Sequence, residues 1–401
     1  MRVLQINSVV NSGSTGRIAE EIGNVLLANG HESYIAYGRG IATSTSKLIK
    51  IGSQKDVYLH GAYTLMTDKH GFASKKATQK FIHEVEHIKP DVVALHNLHG
   101  YYIHLPTLFD FFSRNKIAVV WTLFDCWAFT GHCSYFDDIN CIKWKTHCNN
   151  CPKYKNYPSS WVDNSFSNFE EKRRIFTSVR KMEIIAHSQW LGGLVKDSFL
   201  KEYKVHVTPS AINLDLFKPI DSELRIRYKL GEKKVILGCA SAWSNRKGYQ
   251  DFIALSKKLT NDYQIVMIGL NTKEIKSLPE NIIGLARTES IEELAQWYTL
   301  AYVFVNPTSQ DNFPTTNLEA LACGTPVITY KTGGSPEAID EHTGFVADKG
   351  NVDGIVEMVE RLKRLNYEEI SNACRARAER LYDKKTRYLD YLRVFEGMVE
   401  G

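Results

Sequence analysis

The stretch PTSQDNFPTTNLEALACGTPVITYKTGGSPEAI, residues 307–339, decides the fold. Pro314 suits a loop or a first helical turn but not a helix interior. We expect one of the polar residues that follow, Thr315, Thr316 or Asn317, to cap a helix. The pattern therefore predicts a loop that turns into a helix, which in turn precedes a strand.

Two acids flank the predicted helix start, since seven residues separate Asp311 from Glu319. Gly324 ends the helix, and Pro326 leads into the buried strand Val327–Tyr330. A helix N-terminus presents unpaired N–H groups and partial positive charge, so it can hold a diphosphate. Acids on either side can bind hydroxyls at the two ends of one ligand, which is the layout that a nucleotide-sugar requires.

The same stretch resembles the donor-site signature of glycosyltransferase family 4, a family of retaining enzymes with the GT-B fold. The likeness is to its capsule and exopolysaccharide (colanic-acid-like) members. The matching positions are Asp311, Glu319, Ala320, Ala322, Gly324, Pro326, Val327, Gly333, Gly334 and Glu337. The resemblance implies that Glu319 binds the ribose hydroxyls and that Asp311 faces the donor sugar or the reacting centre. Gly333 and Gly334 either let the backbone approach the sugar or form a plain turn.

Short apolar runs alternate with helical stretches along the chain, which is typical of parallel sheets with crossover helices. We expect an α/β protein of two Rossmann-like, doubly wound domains that face an interdomain cleft, as in GT-B enzymes. The predicted domains are an acceptor-binding domain, 1–208, with a Cys-rich insertion at about 126–160, and a nucleotide-sugar-binding domain, 209–383. A C-terminal helix, 384–401, is expected to cross back to the first domain.

The composition is that of a soluble globular protein, with 43% hydrophobic and 24% charged residues in 401. No apolar run reaches the length of a membrane span, and the strand Arg2–Ile6 begins the chain without a signal peptide, so we expect a cytoplasmic protein. A net charge of +5 does not indicate nucleic-acid binding. The basic segment Glu171–Lys181 is either a solvated helix face or a contact with the inner face of a membrane.

The loop after the strand Val235–Ala240 carries two cations, Arg246 and Lys247. By resemblance, such cations neutralise the diphosphate leaving group, where charge grows during transfer, and no catalytic metal is needed. The family's usual arginine position is Ala242 here, and Arg246 is the expected substitute. By the same resemblance, Arg287 lies where the nucleobase packs.

Three loops of the first domain are candidates for acceptor chemistry. Gly13 and Gly16 lie in a strand-to-helix turn that can approach an anion, or that is an ordinary turn. His99 and the nearby His96 can bind hydroxyls or transfer a proton, or are structural. Asp125 follows Phe124, where many family members have a histidine that contacts the donor sugar. The aromatic residues around Asp125 suit either sugar stacking or a core.

Four cysteines of the insertion are spaced as in a zinc-holding loop: Cys133, Cys141, Cys148 and Cys151. The segment has few aliphatic residues, so a metal would help it to fold. Free thiols and disulfides are the open alternatives, and a catalytic role is not expected.

The sequence thus predicts a retaining hexosyltransferase that moves a sugar from a UDP- or GDP-linked donor to a hydroxyl. The expected acceptor is a glycan or lipid-linked glycan in surface-polysaccharide synthesis. By resemblance to the family, the leaving phosphate itself helps to deprotonate this acceptor. Two other functions stay open. One is a non-catalytic sugar-nucleotide-binding protein, which is indicated by Phe124 and Ala242 in place of the family's usual residues. The other is a sugar-nucleotide 2-epimerase.

Overall fold

The computed structural model describes residues 1–40 and 43–400, and it divides the chain into two compact units. The first unit comprises Met1–Thr208 and Tyr388–Gly401, and the second comprises Pro209–Arg387. Each unit has one parallel sheet with helices in its crossovers. The predicted α/β class with two Rossmann-like domains is confirmed.

The sheet of the first unit has seven strands in the order β3-β2-β1-β4-β5-β6-β7. Their bounds are β1 Arg2–Asn7, β2 Glu32–Tyr37, β3 Lys47–Lys50, β4 Val92–Leu95, β5 Ala118–Leu123, β6 Met182–Ala186 and β7 Lys204–Val207. All neighbouring strands pair in parallel. Every residue of β4 and β5 is buried, as expected for central strands covered on both faces.

The helices of the first unit are α1 Gly13–Ala28, α2 Gln54–Thr67, α3 Lys75–Ile88, α4 Leu105–Asn115, α5 Ser165–Phe176 and α6 Gln189–Lys196. Several begin at side chains that accept a hydrogen bond from the first turn. Ser53 and Asp56 form a capping box at α2, and Ser188 caps α6. These caps satisfy amides that have no partner within the helix.

The sheet of the second unit has six strands in the order β10-β9-β8-β11-β12-β13. The strands are β8 Lys234–Cys239, β9 Tyr263–Ile268, β10 Ile282–Leu285, β11 Val303–Asn306, β12 Val327–Tyr330 and β13 Gly344–Ala347. The helices are α7 Leu224–Arg227, α8 Tyr249–Ser256, α9 Thr272–Lys276, α10 Ile291–Leu300, α11 Thr315–Ala322, α12 Val352–Leu362, α13 Tyr367–Leu381 and α14 Lys384–Glu400. Helix α14 begins in the second unit, and from Tyr388 on it packs with the first. Gly401, the last residue of the predicted C-terminal helix, lies outside the described residues.

Three strands were not predicted, namely β3, β7 and β13, and all three lie at sheet edges. Most of their residues are only partly buried, so they lack the apolar run that marks a central strand. Helix α1 begins at Gly13, so Gly16, which the sequence placed in the strand-to-helix turn, lies inside the first helical turn. Among the described residues, no helix is both long and apolar enough to cross a membrane.

The Cys-rich insertion packs on the first unit and is not a separate lobe. Trp127, Phe129, Phe136 and Trp144 are buried and join the same core cluster as the central strands. The segment therefore has apolar contacts that its few aliphatic residues did not indicate, and the expectation that a metal would help it to fold stays a prediction. Aromatic side chains bury as much surface as aliphatic ones, so they supply the missing contacts.

Candidate active site

The candidate donor site lies at the carboxyl ends of three neighbouring strands, β8, β11 and β12. The strand order reverses between β8 and β11, which is where open α/β sheets bind ligands. The loops that follow these strands, around residues 241–248, 307–314 and 331–335, contact one another at this edge. The positions selected from the sequence of the second unit therefore meet in one place, with the exception of Arg287.

Lys247 and Asp311 form the ionic centre of these loops. Lys247 Nζ donates to Asp311 Oδ2 over 2.5 Å, and both side chains are largely buried. Arg246 donates from its guanidinium to the backbone oxygen of Gln310 over 2.8 Å, and its own carbonyl accepts from Ser309 N. Both cations are thus fastened to the loop that leads into α11.

The start of α11 differs from the expected capping arrangement. Its N-cap is Pro314, which makes no side-chain cap. The prediction that Thr315, Thr316 or Asn317 caps the helix is wrong, because the helix begins at Thr315 and all three residues lie inside its first turn. Proline has no side-chain acceptor, so the amides of Thr315 and Thr316 keep their capacity to bind an anion, whereas the Asn317 amide donates to the Pro314 carbonyl. Thr315 and Thr316 are partly exposed.

Asn317 has a structural role in the network beneath this helix. Asn306 Nδ2 donates to Asn317 Oδ1 over 2.8 Å, and Asn317 Nδ2 donates to Ser335 Oγ over 3.1 Å. Asn317 is completely buried. Its side chain therefore joins the ends of β11 and α11 to the turn after β12, and its backbone N–H donates to the Pro314 carbonyl over 3.2 Å.

Glu319 is held by a tyrosine that was not predicted. Tyr298, on α10, donates its hydroxyl to Glu319 Oε2 over 2.7 Å. Burial raises the pKa of Tyr298 far above its ordinary value, and Cys239 and Glu319 add to the effect, so this hydroxyl stays protonated and remains a donor. One carboxylate oxygen of Glu319 is thus fixed, and the side chain is partly exposed. No sequence signal marks Tyr298, because it looks like an ordinary buried helix residue.

Two glycines are required where the loops approach each other. Gly333 has φ +53°, and an added Cβ would lie 1.8 Å from the Asp311 carbonyl oxygen. Gly248 has φ +80°, and its Cβ would collide with Pro307. Gly334 N donates to the same Asp311 oxygen over 3.3 Å. Of the two predictions for the Gly-Gly pair, these contacts favour the turn, which places Asp311.

Arg287 lies apart from these contacts, exposed just after β10 at the sheet edge. None of the contacts that join the three loops involves it. Its predicted place beside the nucleobase stays a prediction.

The candidate acceptor site of the first unit centres on His99. His99 Nε2 lies 2.9 Å from Asp125 Oδ2, and Nδ1 lies 3.0 Å from the hydroxyl of Tyr157. Asp125 Oδ1 also accepts from Trp127 N over 2.9 Å. If Nε2 donates to the Asp125 carboxylate, Nδ1 is left to accept from the Tyr157 hydroxyl. The structure thus joins the predicted pair and adds Tyr157, whose pKa burial raises above its ordinary value.

The other aromatic residues and His96 mostly belong to the core. His96 is buried and lies 2.9 Å from the side-chain oxygen of Gln5, and burial lowers its pKa to about 3. Trp121 and Trp127 are almost fully buried, so they belong to the hydrophobic core and are not available to stack on a sugar. Phe124 is only partly buried, and its ring lies 5.0 Å from that of His187.

The turn before α1 has an open helix start. Its N-cap residue, Ser12, makes no side-chain cap, and the first helical residues are exposed. A Cβ on Gly13 would meet no atom within 4 Å, whereas one on Gly16 would lie 3.1 Å from Val9. Gly16 thus permits close packing of the turn on itself, and Gly13 is required by its φ of +62°.

The four predicted zinc ligands line a common cavity in the Cys-rich segment. A hydrogen bond from Cys133 lowers the pKa of Cys151 to about 7, and that contact together with burial raises the pKa of Cys133. All eight cysteines are free thiols. In the part of the chain that the structure describes, no three His, Cys, Asp or Glu side chains are arranged to hold a metal ion. Structural zinc therefore stays a prediction from the spacing alone.

Lys172, a buried lysine near the candidate acceptor site, was not predicted from the sequence. Lys172 Nζ donates to the carbonyls of Trp127 and Thr130 and lies 3.5 Å from the Trp127 ring centre. Burial lowers its pKa to about 7. In the sequence, Lys172 belongs to the segment predicted as a basic surface, and nothing there distinguishes it from its exposed neighbours.

Residues 221–381 match the family model described as glycosyl transferases group 1. The chain is a glycosyltransferase. A putative colanic acid biosynthesis glycosyl transferase, WcaC of Escherichia coli K12, is 22% identical over 375 residues, which cover 89% of this chain and 90% of that protein. The predicted enzyme class and the resemblance to group 1 glycosyltransferases are confirmed.

Solved structures match nearly the whole chain. A glycosyltransferase from Rickettsia africae has a TM-score of 0.71 at 15% identity, covering 100% of this chain and 99% of that one. Anabaena Alr3699/HepE, solved in complex with UDP, has a TM-score of 0.69 at 13% identity, covering 99% and 100%. At this identity the likeness shows the fold, which is GT-B as predicted.

Proposed function

We propose that this glycosyltransferase moves a hexose from a UDP- or GDP-linked donor to a hydroxyl of a glycan or lipid-linked glycan, with retention at the anomeric carbon. The observation that carries the proposal is the open first turn of α11 beside the Lys247–Asp311 pair. Together they place backbone N–H groups and a cation where a diphosphate can be held and its leaving charge neutralised.

Lys247 and Asp311 are proposed to act as a unit. The carboxylate orients the lysine ammonium over 2.5 Å, and the backbone of Asp311 is fixed in turn by the turn at Gly333. A preoriented cation stabilises charge on the departing phosphate oxygen without rearranging during the reaction. Arg246, anchored to the Gln310 carbonyl, adds a second positive charge on the same loop.

Glu319 is proposed to bind the ribose hydroxyls. Tyr298 engages one of its oxygens, and the carboxylate has further acceptor capacity for two neighbouring hydroxyls. Because the partner hydroxyl stays protonated, the orientation of the carboxylate is set before the nucleotide binds. Arg287 is proposed to lie near the nucleobase.

In the first unit, His99 and Asp125 are proposed to bind the acceptor hydroxyl, and the turn at Gly13 and Gly16 is proposed to approach the diphosphate. Both ring nitrogens of His99 already have partners, so the ring is held in a single orientation and can bind this hydroxyl only in place of Tyr157. The Asp125 carboxylate keeps further acceptor capacity for it. We assign the deprotonation of the acceptor to the leaving phosphate itself. The similarity to a putative colanic acid enzyme supports a surface polysaccharide as the product. The cytoplasmic location stays a prediction.

Two experiments in sequence test this function. Thermal unfolding is first measured with UDP- and GDP-sugars, and a nucleotide-sugar that binds the folded chain raises the melting temperature. The stabilising donor is then incubated with a bacterial lipid extract, and nuclear magnetic resonance reads the anomeric configuration of the product. A retained configuration is expected. An inverted product refutes the mechanism, an epimerised donor indicates an epimerase, and binding without turnover indicates a non-catalytic protein.

A further inference from the structure

Helix α2 presents its more apolar side outward. Five residues at helical spacing form this side and are exposed: Tyr58, Leu59, Ala62, Tyr63 and Met66. Tyr58 and Leu59 are each 70% exposed. The buried side of the same helix consists of Val57, His60 and Thr64. An amphipathic helix on a globular protein normally turns its apolar side towards the core. The exposed apolar side of α2 therefore indicates a binding surface.

A second segment extends the apolar surface beyond α2. Trp161 N donates to the Leu65 carbonyl over 2.8 Å, and Asn164 N donates to the Asp68 carboxylate over 2.8 Å. The segment is thus fastened along the C-terminal end of α2, with Trp161 68% exposed. We call the whole surface the apolar face, and it comprises Tyr58, Leu59, Ala62, Tyr63, Met66, Trp161, Val162 and Phe166.

Basic side chains border the apolar face. Tyr63 and Phe166 line a groove of about 1110 Å³ on the first unit. Its lining includes four basic residues, Lys69, Arg173, Arg174 and Lys201, and two acidic ones, Glu170 and Glu171. The two arginines are ion-paired with the two glutamates, so the lysines give the groove its positive charge. Lys55 adds another exposed cation at the start of α2.

We propose that the apolar face docks on the surface of an anionic lipid bilayer. Tyrosine and tryptophan have an apolar ring and a polar group, which suits the level of the lipid headgroups. Leu59, Met66 and Phe166 would reach the acyl boundary, as the apolar side of an interfacial helix does. The lysines at the border are attracted to the negative surface of an anionic leaflet. The combination of exposed aromatics with bordering cations favours this occupant over a protein partner.

The proposal is independent of the donor site, because it concerns only the first unit. If the proposed lipid-linked acceptor is correct, docking holds this unit at the surface where such an acceptor lies. The basic segment Glu171–Lys181 then contributes at the border of the apolar face, and its central arginines remain paired with glutamates.

Vesicle sedimentation of the full chain, without any substrate, tests the docking. The chain is expected to sediment with vesicles of phosphatidylcholine and phosphatidylglycerol, more weakly with phosphatidylcholine alone, and less as salt is raised. A triple variant, Tyr58→Ser, Leu59→Ser and Met66→Ser, is expected to bind the mixed vesicles at least about tenfold more weakly, since each side chain loses apolar burial.

The matched control is Ile226→Ser in α7 of the second unit, where Ile226 is 79% exposed. It should bind vesicles as the unchanged chain does. Circular dichroism and the melting temperature show whether the triple variant is folded, and Leu59→Ser alone is used if it is not. Equal binding of variant and unchanged chain overturns the proposal, as does no binding to the mixed vesicles. A dimer in light scattering that the variant dissociates assigns the face to a second copy instead. None of these outcomes depends on nucleotide-sugar binding.

Discussion

The two units place their ionisable side chains in opposite ways. The first unit holds twelve of the chain's 13 histidines, and burial lowers the pKa of five of them, His60, His70, His96, His104 and His187. The second unit holds only His342, which is exposed, and its site relies on the ion pair of Lys247 and Asp311. One unit is therefore built on neutral, buried imidazoles, and the other on fixed charges and backbone amides.

This contrast explains what each unit can do. Fixed charges and helix amides suit the diphosphate of a nucleotide-sugar, because a diphosphate esterified at both ends stays ionised between pH 5 and 8. Buried neutral rings serve hydrogen bonds inside the first unit, as His96 does with Gln5, because each ring offers one donor and one acceptor in a dry setting. These rings bind protons only when the first unit unfolds, so acid lowers the stability of this unit.

The largest effect expected from this contrast is a loss of stability in the first unit on acidification. The pKa of His60 and of His187 is lowered to about 4, so below the ordinary value of 6.5 the unfolded chain binds protons that the folded chain does not. Stability is therefore complete above about pH 6.5 and is lost as pH falls towards 4. These two residues together should cost on the order of 4 kcal/mol by pH 5.

Hydrogen exchange, corrected for the intrinsic rate at each pH, measures this loss strand by strand. Between pH 7 and pH 5, amides of β4 and β6 should lose far more protection than those of β8 and β11. An equal loss of amide protection in both units would show that the buried histidines do not make the first unit more sensitive to acid than the second.

Next in size is the effect of Lys247→Met on transfer. Removing the cation should lower kcat by about 10²- to 10³-fold, whereas donor affinity falls much less, because the charge it stabilises grows only during transfer. Lys273→Met is the matched control, since Lys273 is an exposed lysine on α9 of the same unit. A parallel loss of kcat and affinity would show that Lys247 holds only the ground state.

Glu319→Ala should weaken UDP or GDP binding by about 2–3 kcal/mol, because the ribose loses a charged acceptor. Calorimetry measures the dissociation constant, with Glu280→Ala as an exposed control on the same unit. Unchanged affinity in Glu319→Ala would remove this residue from the nucleotide site.

The smallest effect sharpens the assignment of Glu319. Tyr298→Phe removes only the hydroxyl that orients the carboxylate, so we expect about 1 kcal/mol weaker nucleotide binding and an unchanged kcat. An effect as large as that of Glu319→Ala would mean that the tyrosine acts on the fold rather than on the site.

The same contrast separates what the sequence could predict from what it could not. One short loop–helix–strand unit contains Asp311, Glu319 and the glycine turn at fixed spacings. Their contacts are local, so they could be predicted from the sequence. The partners Tyr298 and Tyr157 come from distant elements and look like ordinary aromatic residues. Edge strands such as β3 and β13 lack apolar runs, and the missing cap at α11 depends on where one turn begins, which propensity does not fix.

The central claim is that the first turn of α11 and Lys247 hold the donor diphosphate. A crystal structure of the complex with UDP or GDP, whichever stabilises the chain, tests it most directly. The account predicts the diphosphate within hydrogen-bond distance of the Thr315 and Thr316 amides and of Lys247 Nζ, with the ribose on Glu319. A nucleotide bound elsewhere, with the start of α11 free of phosphate, would contradict it.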